Sequence, residues 1–298
     1  MVRKVNDLDQ YLNEKRNIIN RALKDCLPQS GPPAVREAMD YSLDAGGKRL
    51  RPILAMGVAD TLNYEDSSVI DVACALELIH TYSLIHDDLP AMDNSDLRRG
   101  KPTCHRVFGD AIAVLAGDAL LTLAFEMISR YGQKNGSANK AMQIAVELAS
   151  AAGVNGMIGG QVLDLESEGK QITESELETM SSMKTGALLK ASVMCGAIAA
   201  GATLEQKKYL ANYATCIGTA FQIIDDLLDY ESSEEELGKP VGSDQERFKP
   251  NYPSILGPKK ARKQAELLHQ QAVDNVKKLN GPVDLLTGLA ERIVNRKK

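Results

Sequence analysis

The sequence predicts an all-α protein, and three observations support that fold class. Apolar residues recur at helical spacing along most of the chain, and runs of alternating β-branched and polar residues are hard to find. Hydrophobic residues make up 44% of the 298 residues, with an aliphatic and alanine-rich character that favours packed helices. Because no linker rich in Pro, Gly and Ser divides the chain, we expect residues 1–298 to form one domain of about ten helices.

Helix boundaries in the first third can be placed from glycine and proline. Gly46 and Gly47 are expected to close one helix, and Pro52 suits the first turn of the next. The apolar run Ala73–Ile85 is expected to be a buried helix.

Two capping boxes predict helix starts in the second half. Thr173 with Glu176 precedes a helix that runs towards residue 199, and Thr203 with Gln206 precedes a long amphipathic helix. The segment 231–258 is expected to be one long irregular loop.

Composition excludes several classes of protein. A net charge of −5 gives no reason to expect a nucleic-acid partner. Five widely spaced cysteines without a CxxC pair, and an amino terminus without an apolar signal, favour a reduced, cytoplasmic protein without a targeting segment. The most apolar window, 111–128, carries Asp118 and Glu126, so we expect a buried helix there and not an integral membrane protein.

The first candidate site is the stretch "SLIHDDLPAMDNSDLRRGKPT", which crowds aspartates after the apolar helix. Asp87 and Asp88 end the apolar run, and Pro90 is expected to end or kink the helix and return Asp93 towards them. A single such motif could be a solvated helix face or a cap, so a second observation is needed.

The second acidic stretch, "QIIDDLLDY", supplies that observation. Gln222, Asp225, Asp226 and Asp229 fall on one helix face because residues three and four apart are neighbours. Carboxylates this close repel one another unless cations lie between them, and Mg²⁺ favours carboxylate and phosphate oxygen. Two such clusters on apolar helices indicate a magnesium and phosphate site.

Basic residues follow the Gly-Gly turn in "GGKRLRP" and follow the first acidic cluster. Arginine and lysine match phosphate oxygens, so a substrate with two diphosphates explains them better than surface charge does. His80 lies two helical turns before Asp87, where a phosphate donor competes with an ordinary core histidine, and His86 is left unassigned. The candidate phosphate-binding cations are Lys48, Arg49, Arg51, Arg98 and Arg99.

These motifs, taken together, resemble the trans-isoprenyl diphosphate synthases of the farnesyl or geranylgeranyl type. The matching stretches lie between residues 46 and 244 and are "GGKRLRP", "ELIHTYSLIHDDLPAMDNSDLRRGKPT", "LAGDALLTLAFE", "GMIGGQVLDL", "KTGALLKAS", "FQIIDDLLDY" and "LGKPVGSD". The resemblance implies an isoprenoid-synthase fold with a central cavity, a homodimer, and condensation of isopentenyl diphosphate with an allylic diphosphate.

The resemblance also assigns roles to residues. It implies a trinuclear Mg²⁺ cluster held by Asp87, Asp88, Asp93 and Asp225, with Asp226 and Asp229 in support. It implies that the allylic diphosphate is bound by Arg98, Lys184, Thr185, Gln222 and Lys239, of which the last four are also catalytic. It implies that isopentenyl diphosphate is held by Lys48, Arg51, His80 and Arg99.

Three residues depart from the family pattern. Asn94 and Ser95 stand where a more acidic pair is common, with little effect expected. Asn251, near Lys249, stands where Thr or Ser is common, which puts in doubt the closure of that segment over the site.

Product length is expected to depend on residues just before the first cluster. Tyr82 and its neighbour Ser83 lie about one turn before Asp87, and a bulky ring there would limit the growing chain. Tyr82 with the longer first motif resembles bacterial farnesyl diphosphate synthases, although Tyr82 could be ordinary core. The alternatives are a geranylgeranyl diphosphate synthase, a terpene cyclase or head-to-head enzyme, and a non-catalytic partner subunit.

The basic tail "RIVNRKK" could shield the entrance of the site or be solvated, and solvation is expected because charged termini are usually solvated.

Overall fold

The structure is a computed structural model that describes residues 8–134, 136–237, 250–279 and 281–296, and the side chains of all of these except 232–237. Within these ranges the chain forms α-helices joined by short connections and one two-residue hairpin. The α-helices are α1 (Leu8–Cys26), α2 (Pro33–Asp44), α3 (Leu50–Thr61), α4 (Val69–Asp87), α5 (Cys104–Phe108), α6 (Asp110–Lys134), α7 (Ala138–Ala152), α8 (Met157–Ser167), α9 (Glu174–Ser181), α10 (Ala187–Ala199), α11 (Leu204–Leu237), α12 (Tyr252–Leu256), α13 (Pro258–Val276) and α14 (Asp284–Val294). A π-helical turn, Ser182–Gly186, joins α9 to α10, and the hairpin pairs β1 (Leu97–Arg98) with β2 (Lys101–Pro102).

Helix α4 lies at the centre of the core. It is apolar on all sides, which is typical of a helix that is surrounded by others, and it packs against α3, α6 and α10. Helix α10 approaches α3 so closely that a Cβ atom on Gly196 would lie 2.3 Å from the Ala55 carbonyl oxygen. The buried helix predicted over Ala73–Ile85 and the all-α fold class are confirmed.

Helix α11 is the long amphipathic helix that the sequence predicts. Its start is capped reciprocally: the Thr203 N–H donates to Gln206 Oε1 at 2.9 Å, and the Gln206 N–H donates to Thr203 Oγ1 at 3.2 Å. The second capping box forms in the same way between Thr173 and Glu176 at the start of α9. Farther along α11, Ile223, Ile224 and Leu227 pack with α9, α12 and α13 in a second core cluster. Because this face of α11 is buried, the opposite face, which carries the second acidic cluster, is turned towards the site.

Two boundaries differ from the sequence prediction. The helix expected through residue 199 is interrupted by the π-helical turn Ser182–Gly186. The loop expected over 231–258 is partly helical, because α11 continues through a Glu-rich stretch of good helix formers and α12 begins at Tyr252. Lys239 and Lys249 lie outside the described residues.

Three helical stretches are long and apolar enough to cross a membrane by length and composition alone, namely Val69–Asp87, Asp110–Lys134 and Ala138–Ser167. The first is α4, whose apolar window is 72% buried inside the protein, whereas the corresponding windows of the other two are 44% and 33% buried. Apolar side chains therefore remain exposed on α6, α7 and α8. All five cysteines are buried and free.

Candidate active site

The first acidic cluster lies where α4 gives way to a tight loop. Asp87 is the last residue of α4, and the Asp93 N–H donates a hydrogen bond to the Asp87 carbonyl oxygen at 2.9 Å. Asn94 adopts a left-handed conformation with φ of 51°, which asparagine tolerates better than most residues. The loop therefore returns Asp93 to the end of the helix, as we predicted from the position of Pro90 in the sequence.

Asp88 is held by an arginine from the hairpin. Its carboxylate is buried, and Arg98 binds it through two nitrogens, with Nε 2.7 Å from Oδ2 and Nη2 2.7 Å from Oδ1. The hairpin turn consists of Arg99 and Gly100, which have positive φ angles of 54° and 77°. This turn type suits a two-residue hairpin, and it aims Arg98 at the end of α4.

Burial and electrostatic repulsion oppose full ionisation of the first cluster, and the raised pKa of Asp87 reflects both effects. The pKa of Asp87 is raised to about 6, mainly by burial and also by the charges of Asp93 and Asp88, against the opposing charges of Lys184 and Arg98. A cation placed among these carboxylates would relieve the repulsion.

The second acidic cluster lies on α11 and has the same electrostatic character. Asp226 accepts hydrogen bonds from Gln222 Nε2 at 2.7 Å and from the Tyr252 N–H at 3.0 Å. Burial raises the pKa of Asp226 to about 6 despite these bonds, with Asp225 and Asp229 adding to the shift. Burial and the Asp225 charge also raise the pKa of Asp229.

Lys184 and Thr185 link the two clusters. Both lie in the π-helical turn, a feature that is frequent at functional sites. The Thr185 hydroxyl donates to Gln222 Oε1 at 2.8 Å, which connects the turn to the second cluster. Lys184 exerts the largest favourable charge on Asp87, which connects the turn to the first cluster.

Helix α8 fixes the position of this turn. Lys184 Nζ donates to the buried Asp164 carboxylate at 2.7 Å. Gly160 lies one turn earlier on α8, and a Cβ atom there would be 2.2 Å from the Lys184 backbone nitrogen. The Gly-Gly and Asp of "GMIGGQVLDL" thus let the turn lie directly against α8.

A basic pocket lies between α2, α4 and the hairpin, and Asp88 of the first acidic cluster also lines it. His80, Arg98, Arg99 and Glu77 line it. Burial lowers the pKa of His80 well below its usual value, and four neighbouring arginines lower it further, so the imidazole is neutral and carries one N–H donor. Burial also lowers the pKa of Arg51 to about 10. Cations crowded in a desolvated pocket favour an anionic ligand.

The Gly-Gly turn after α2 gives Arg99 its place in the basic pocket. Arg99 Nη1 donates to the Gly46 carbonyl oxygen, and a Cβ atom on Gly47 would lie 2.6 Å from that nitrogen. Gly47 also has φ of 142°, so a side chain there would be strained as well as blocked.

The acidic residues fit a hard divalent cation. Their donors are carboxylate oxygens, and the neighbouring cations suit phosphate. Burial and the charges of neighbouring carboxylates raise the pKa values of Asp87, Asp226 and Asp229. In the described ranges no group of three or more His, Cys, Asp or Glu side chains is arranged to hold a metal alone. Mg²⁺ sites of proteins commonly take their remaining ligands from water and substrate phosphate. The donor set therefore suits Mg²⁺ that is bound together with a diphosphate.

Comparison with known proteins decides the family. The family model for polyprenyl synthetase matches residues 32–283. The chain belongs to the polyprenyl synthetase family. Farnesyl diphosphate synthase from Geobacillus stearothermophilus is 49% identical over 250 residues, which cover 84% of each protein. Geranylgeranyl diphosphate synthase from Cyanophora paradoxa is 44% identical over 289 residues, which cover 96% of this chain and 95% of that protein.

A solved structure agrees with this assignment. The crystal structure of an FPP/GFPP synthase from Zymomonas mobilis, in its apo form, superposes with a TM-score of 0.86 at 38% identity, and covers 96% of this chain and 98% of that one. This polyprenyl synthetase is therefore a prenyltransferase with the all-α isoprenyl synthase fold.

The structure corrects the reading of the basic tail. Arg296 is not solvated: its side chain is 10% exposed, it contacts the Asp225 carboxylate, and its guanidinium lies 4.3 Å from the centre of the Phe221 ring. The tail was misread because a charged terminus gives no periodicity that could show which residue turns inward.

Other residues take structural roles that the sequence did not assign. His86 faces away from the aspartates, with Nε2 3.1 Å from the Val114 carbonyl oxygen and its ring against Gly117 of α6. Asn251 caps α12, because its Oδ1 accepts a hydrogen bond from the Ser254 N–H at 2.9 Å. Thr or Ser at this position could cap the helix in the same way. Asp164 and Glu77 were missed, although each is an acidic residue on a largely apolar helix, which is a usable signal.

Asp164→Asn is expected to lower the kcat/KM of prenyl transfer by roughly 10- to 100-fold, the usual effect of losing a residue that orients a ligand-binding group. The substitution keeps the shape of Asp164 and removes the charge that holds Lys184. Steady-state kinetics measure the loss, and circular dichroism checks the fold. Glu126→Gln, which breaks an exposed pair with Arg130, is the control, and equal activity of the two variants would contradict the role of Asp164.

Proposed function

We propose that this prenyltransferase condenses isopentenyl diphosphate with dimethylallyl and geranyl diphosphate, head to tail, to give farnesyl diphosphate. The observation that carries the proposal is the presence of two different sites for anions, an acidic pair of clusters suited to Mg²⁺ with one diphosphate and a basic pocket suited to another. An enzyme that handles a single diphosphate has no use for the second site.

The acidic clusters would receive the allylic diphosphate. Mg²⁺ would be held by Asp87, Asp88, Asp93 and Asp225, with Asp226 and Asp229 in support. When bound, Mg²⁺ supplies charge neutralisation to the diphosphate leaving group. Arg98, Lys184 and Lys239 would add cationic donors to the same group as its bond to the allylic carbon breaks.

The other product of that cleavage is an allylic carbocation. The Thr185 hydroxyl donates to Gln222 Oε1 at 2.8 Å, so the two side chains hold each other in place. Their oxygen atoms would face the reacting carbons and favour positive charge without attacking it. Water must be excluded, because it would quench the cation.

Isopentenyl diphosphate would be held by Lys48, Arg51, His80 and Arg99. Of these, His80 and Arg99 line the basic pocket, whereas Lys48 lines a second cavity together with Arg296. Neutral His80 would donate a hydrogen bond to a phosphate oxygen, and the cations would supply the charge. The C3=C4 double bond of isopentenyl diphosphate then attacks the cation. The proton at C2 leaves to an oxygen of the released diphosphate, so no side-chain base is required.

Wider properties of the molecule belong to the same proposal. Residues 1–298 would act as one domain in the cytoplasm, where the five free thiols remain reduced. The catalytic unit would be a homodimer. It would not act on nucleic acid or lie in a membrane.

A product assay tests the function. With Mg²⁺, labelled isopentenyl diphosphate and either dimethylallyl or geranyl diphosphate, we expect farnesol as the main product after phosphatase treatment and chromatography, and no product after chelation of the metal. Geranylgeraniol would keep the mechanism and favour the second candidate, a geranylgeranyl diphosphate synthase, as in the Cyanophora relative. Absence of any metal-dependent product would favour a non-catalytic partner subunit.

Tyr82→Ala is expected to shift the main product from farnesyl to geranylgeranyl diphosphate or longer. The Tyr82 ring is 5% exposed and packs edge-on against His86, with ring centres 5.7 Å apart, so its position in the core is fixed. Ser83 donates to the His80 carbonyl oxygen at 2.9 Å and is expected to contribute less. Tyr82→Phe keeps the ring and should keep the product; an unchanged product with Tyr82→Ala would refute the steric limit.

The homodimer can be tested at the exposed apolar side chains of α7 and α8. Met142 and Val146 on α7, and Ile158 and Val162 on α8, are exposed and spaced by one helical turn, which suits a surface that a second copy covers. We expect a dimer in sedimentation equilibrium and a shift towards monomer in Val146→Glu with Val162→Glu. A monomeric wild-type protein would contradict the proposal; Leu204→Glu, exposed on another helix, is the control.

A further inference from the structure

A buried ion pair lies directly behind the basic pocket. Arg49, the residue before α3, contacts Glu77 of α4 at 2.8 Å, and the two side chains are 5% and 3% exposed. Buried ion pairs are costly to desolvate, so their presence calls for a specific reason.

All three guanidinium nitrogens of Arg49 donate hydrogen bonds to the protein. Its Nη1 donates to Glu77, its Nε donates to Asn20 Oδ1 at 2.8 Å, and its Nη2 donates to the Leu43 carbonyl oxygen at 2.6 Å. Its neighbours Lys48 and Arg51 are candidates for phosphate binding, whereas the Arg49 guanidinium points inward. The middle basic residue of "GGKRLRP" therefore has a different task from its neighbours.

The backbone at Arg49 explains what that task is. Arg49 has φ of 50°, a left-handed conformation that costs energy for a residue with a side chain and persists only when its surroundings hold it. The three hydrogen bonds of its side chain hold it. The same backbone conformation fixes the directions in which Lys48 and Arg51 leave the chain.

Glu77 faces the cations of the basic pocket from the other side. It lies three residues before His80, about one turn away on α4, and lines the pocket with His80 and Arg99. Its charge supports the protonated forms of both Arg51 and Arg99, raising pKa values that burial lowers. The carboxylate thus keeps mutually repelling cations together while no phosphate is bound.

We propose that Arg49 and Glu77 are a positioning pair for the second diphosphate, which holds Arg51, His80 and Arg99 in a geometry ready for phosphate. The pair does not touch the substrate. This inference rests on the proposed binding of isopentenyl diphosphate in the basic pocket.

Glu77→Gln tests the pair, because it keeps the shape and an acceptor for Arg49 and removes the charge. We expect the KM for isopentenyl diphosphate to rise roughly 10- to 100-fold, while the KM for geranyl diphosphate stays at the wild-type value, because the acidic clusters are untouched. Asp71→Asn is the matched control, since Asp71 is also buried on α4 and pairs with Lys134 at 2.8 Å, two turns before Glu77. Its KM values should not change.

A second variant separates positioning from stability. Arg49→Met with Glu77→Met replaces the pair by apolar side chains, and such replacements commonly preserve stability. We expect a thermal midpoint near that of the wild type together with a raised KM for isopentenyl diphosphate. An unchanged KM in either folded variant, or equal rises for both substrates, would overturn the proposal.

Binding of inorganic diphosphate, measured by calorimetry without Mg²⁺, distinguishes failure of this inference from failure of the proposed function. Weaker binding by Glu77→Gln than by Asp71→Asn supports the positioning pair even if turnover makes a different product. Equal binding by these two variants would refute the pair even if the wild-type protein makes farnesyl diphosphate.

Discussion

Each of the two acidic clusters and the basic pocket brings side chains of like charge together against an apolar helical core. Each depends on a residue of opposite charge from elsewhere in the chain. Asp88 is paired with Arg98, Asp225 with Arg296 and Glu77 with Arg49, and the charge of Glu77 also favours the protonated forms of Arg51 and Arg99. Removing one partner of a buried pair such as Arg49–Glu77 leaves an uncompensated charge at a cost of about 3–5 kcal/mol, so this pair holds its part of the site in shape. The remaining repulsion appears in the raised pKa values of Asp87 and Asp226 and is what a bound cation would relieve.

The backbone adapts to this crowding at a few defined points. Among the described residues that are not glycine, four have positive φ, and three of them, Arg49, Asn94 and Arg99, lie at the site. The π-helical turn Ser182–Gly186 is a further departure from ideal geometry, and it carries Lys184 and Thr185. Strain concentrated at a site is tolerated when a rigid core surrounds it, and here α4, α10 and α11 supply that core.

Sequence reasoning recovered the parts of the fold and site that depend on local chemistry. Helical spacing predicted α4 and α11, reciprocal capping predicted the starts of α9 and α11, and Pro90 predicted the return of Asp93. The family followed from motifs, and the comparisons confirm it. These features can be read from a single sequence because each depends on residues that lie within a few positions of one another.

Features set by distant contacts were not predicted. The inward turn of Arg49 depends on Asn20, Leu43 and Glu77, which come from three other segments. The burial of Arg296 depends on α11, and a π-helical turn leaves no mark in apolar spacing. The sequence places Lys48, Arg49 and Arg51 within four positions of one another. Their spacing cannot show which side chain faces the ligand and which faces the core.

The hairpin turn supports two neighbouring parts of the site. Arg98 donates hydrogen bonds to Asp88 at the acidic end of α4. Arg99, the next residue, donates to the carbonyl oxygen of Gly46 in the Gly-Gly turn beside the basic pocket. A single peptide unit separates the two anchors, and that unit is nearly rigid. A shift of the hairpin backbone would therefore move the attachment points of both side chains together. The acidic cluster at the end of α4 and the basic pocket thus share one short support.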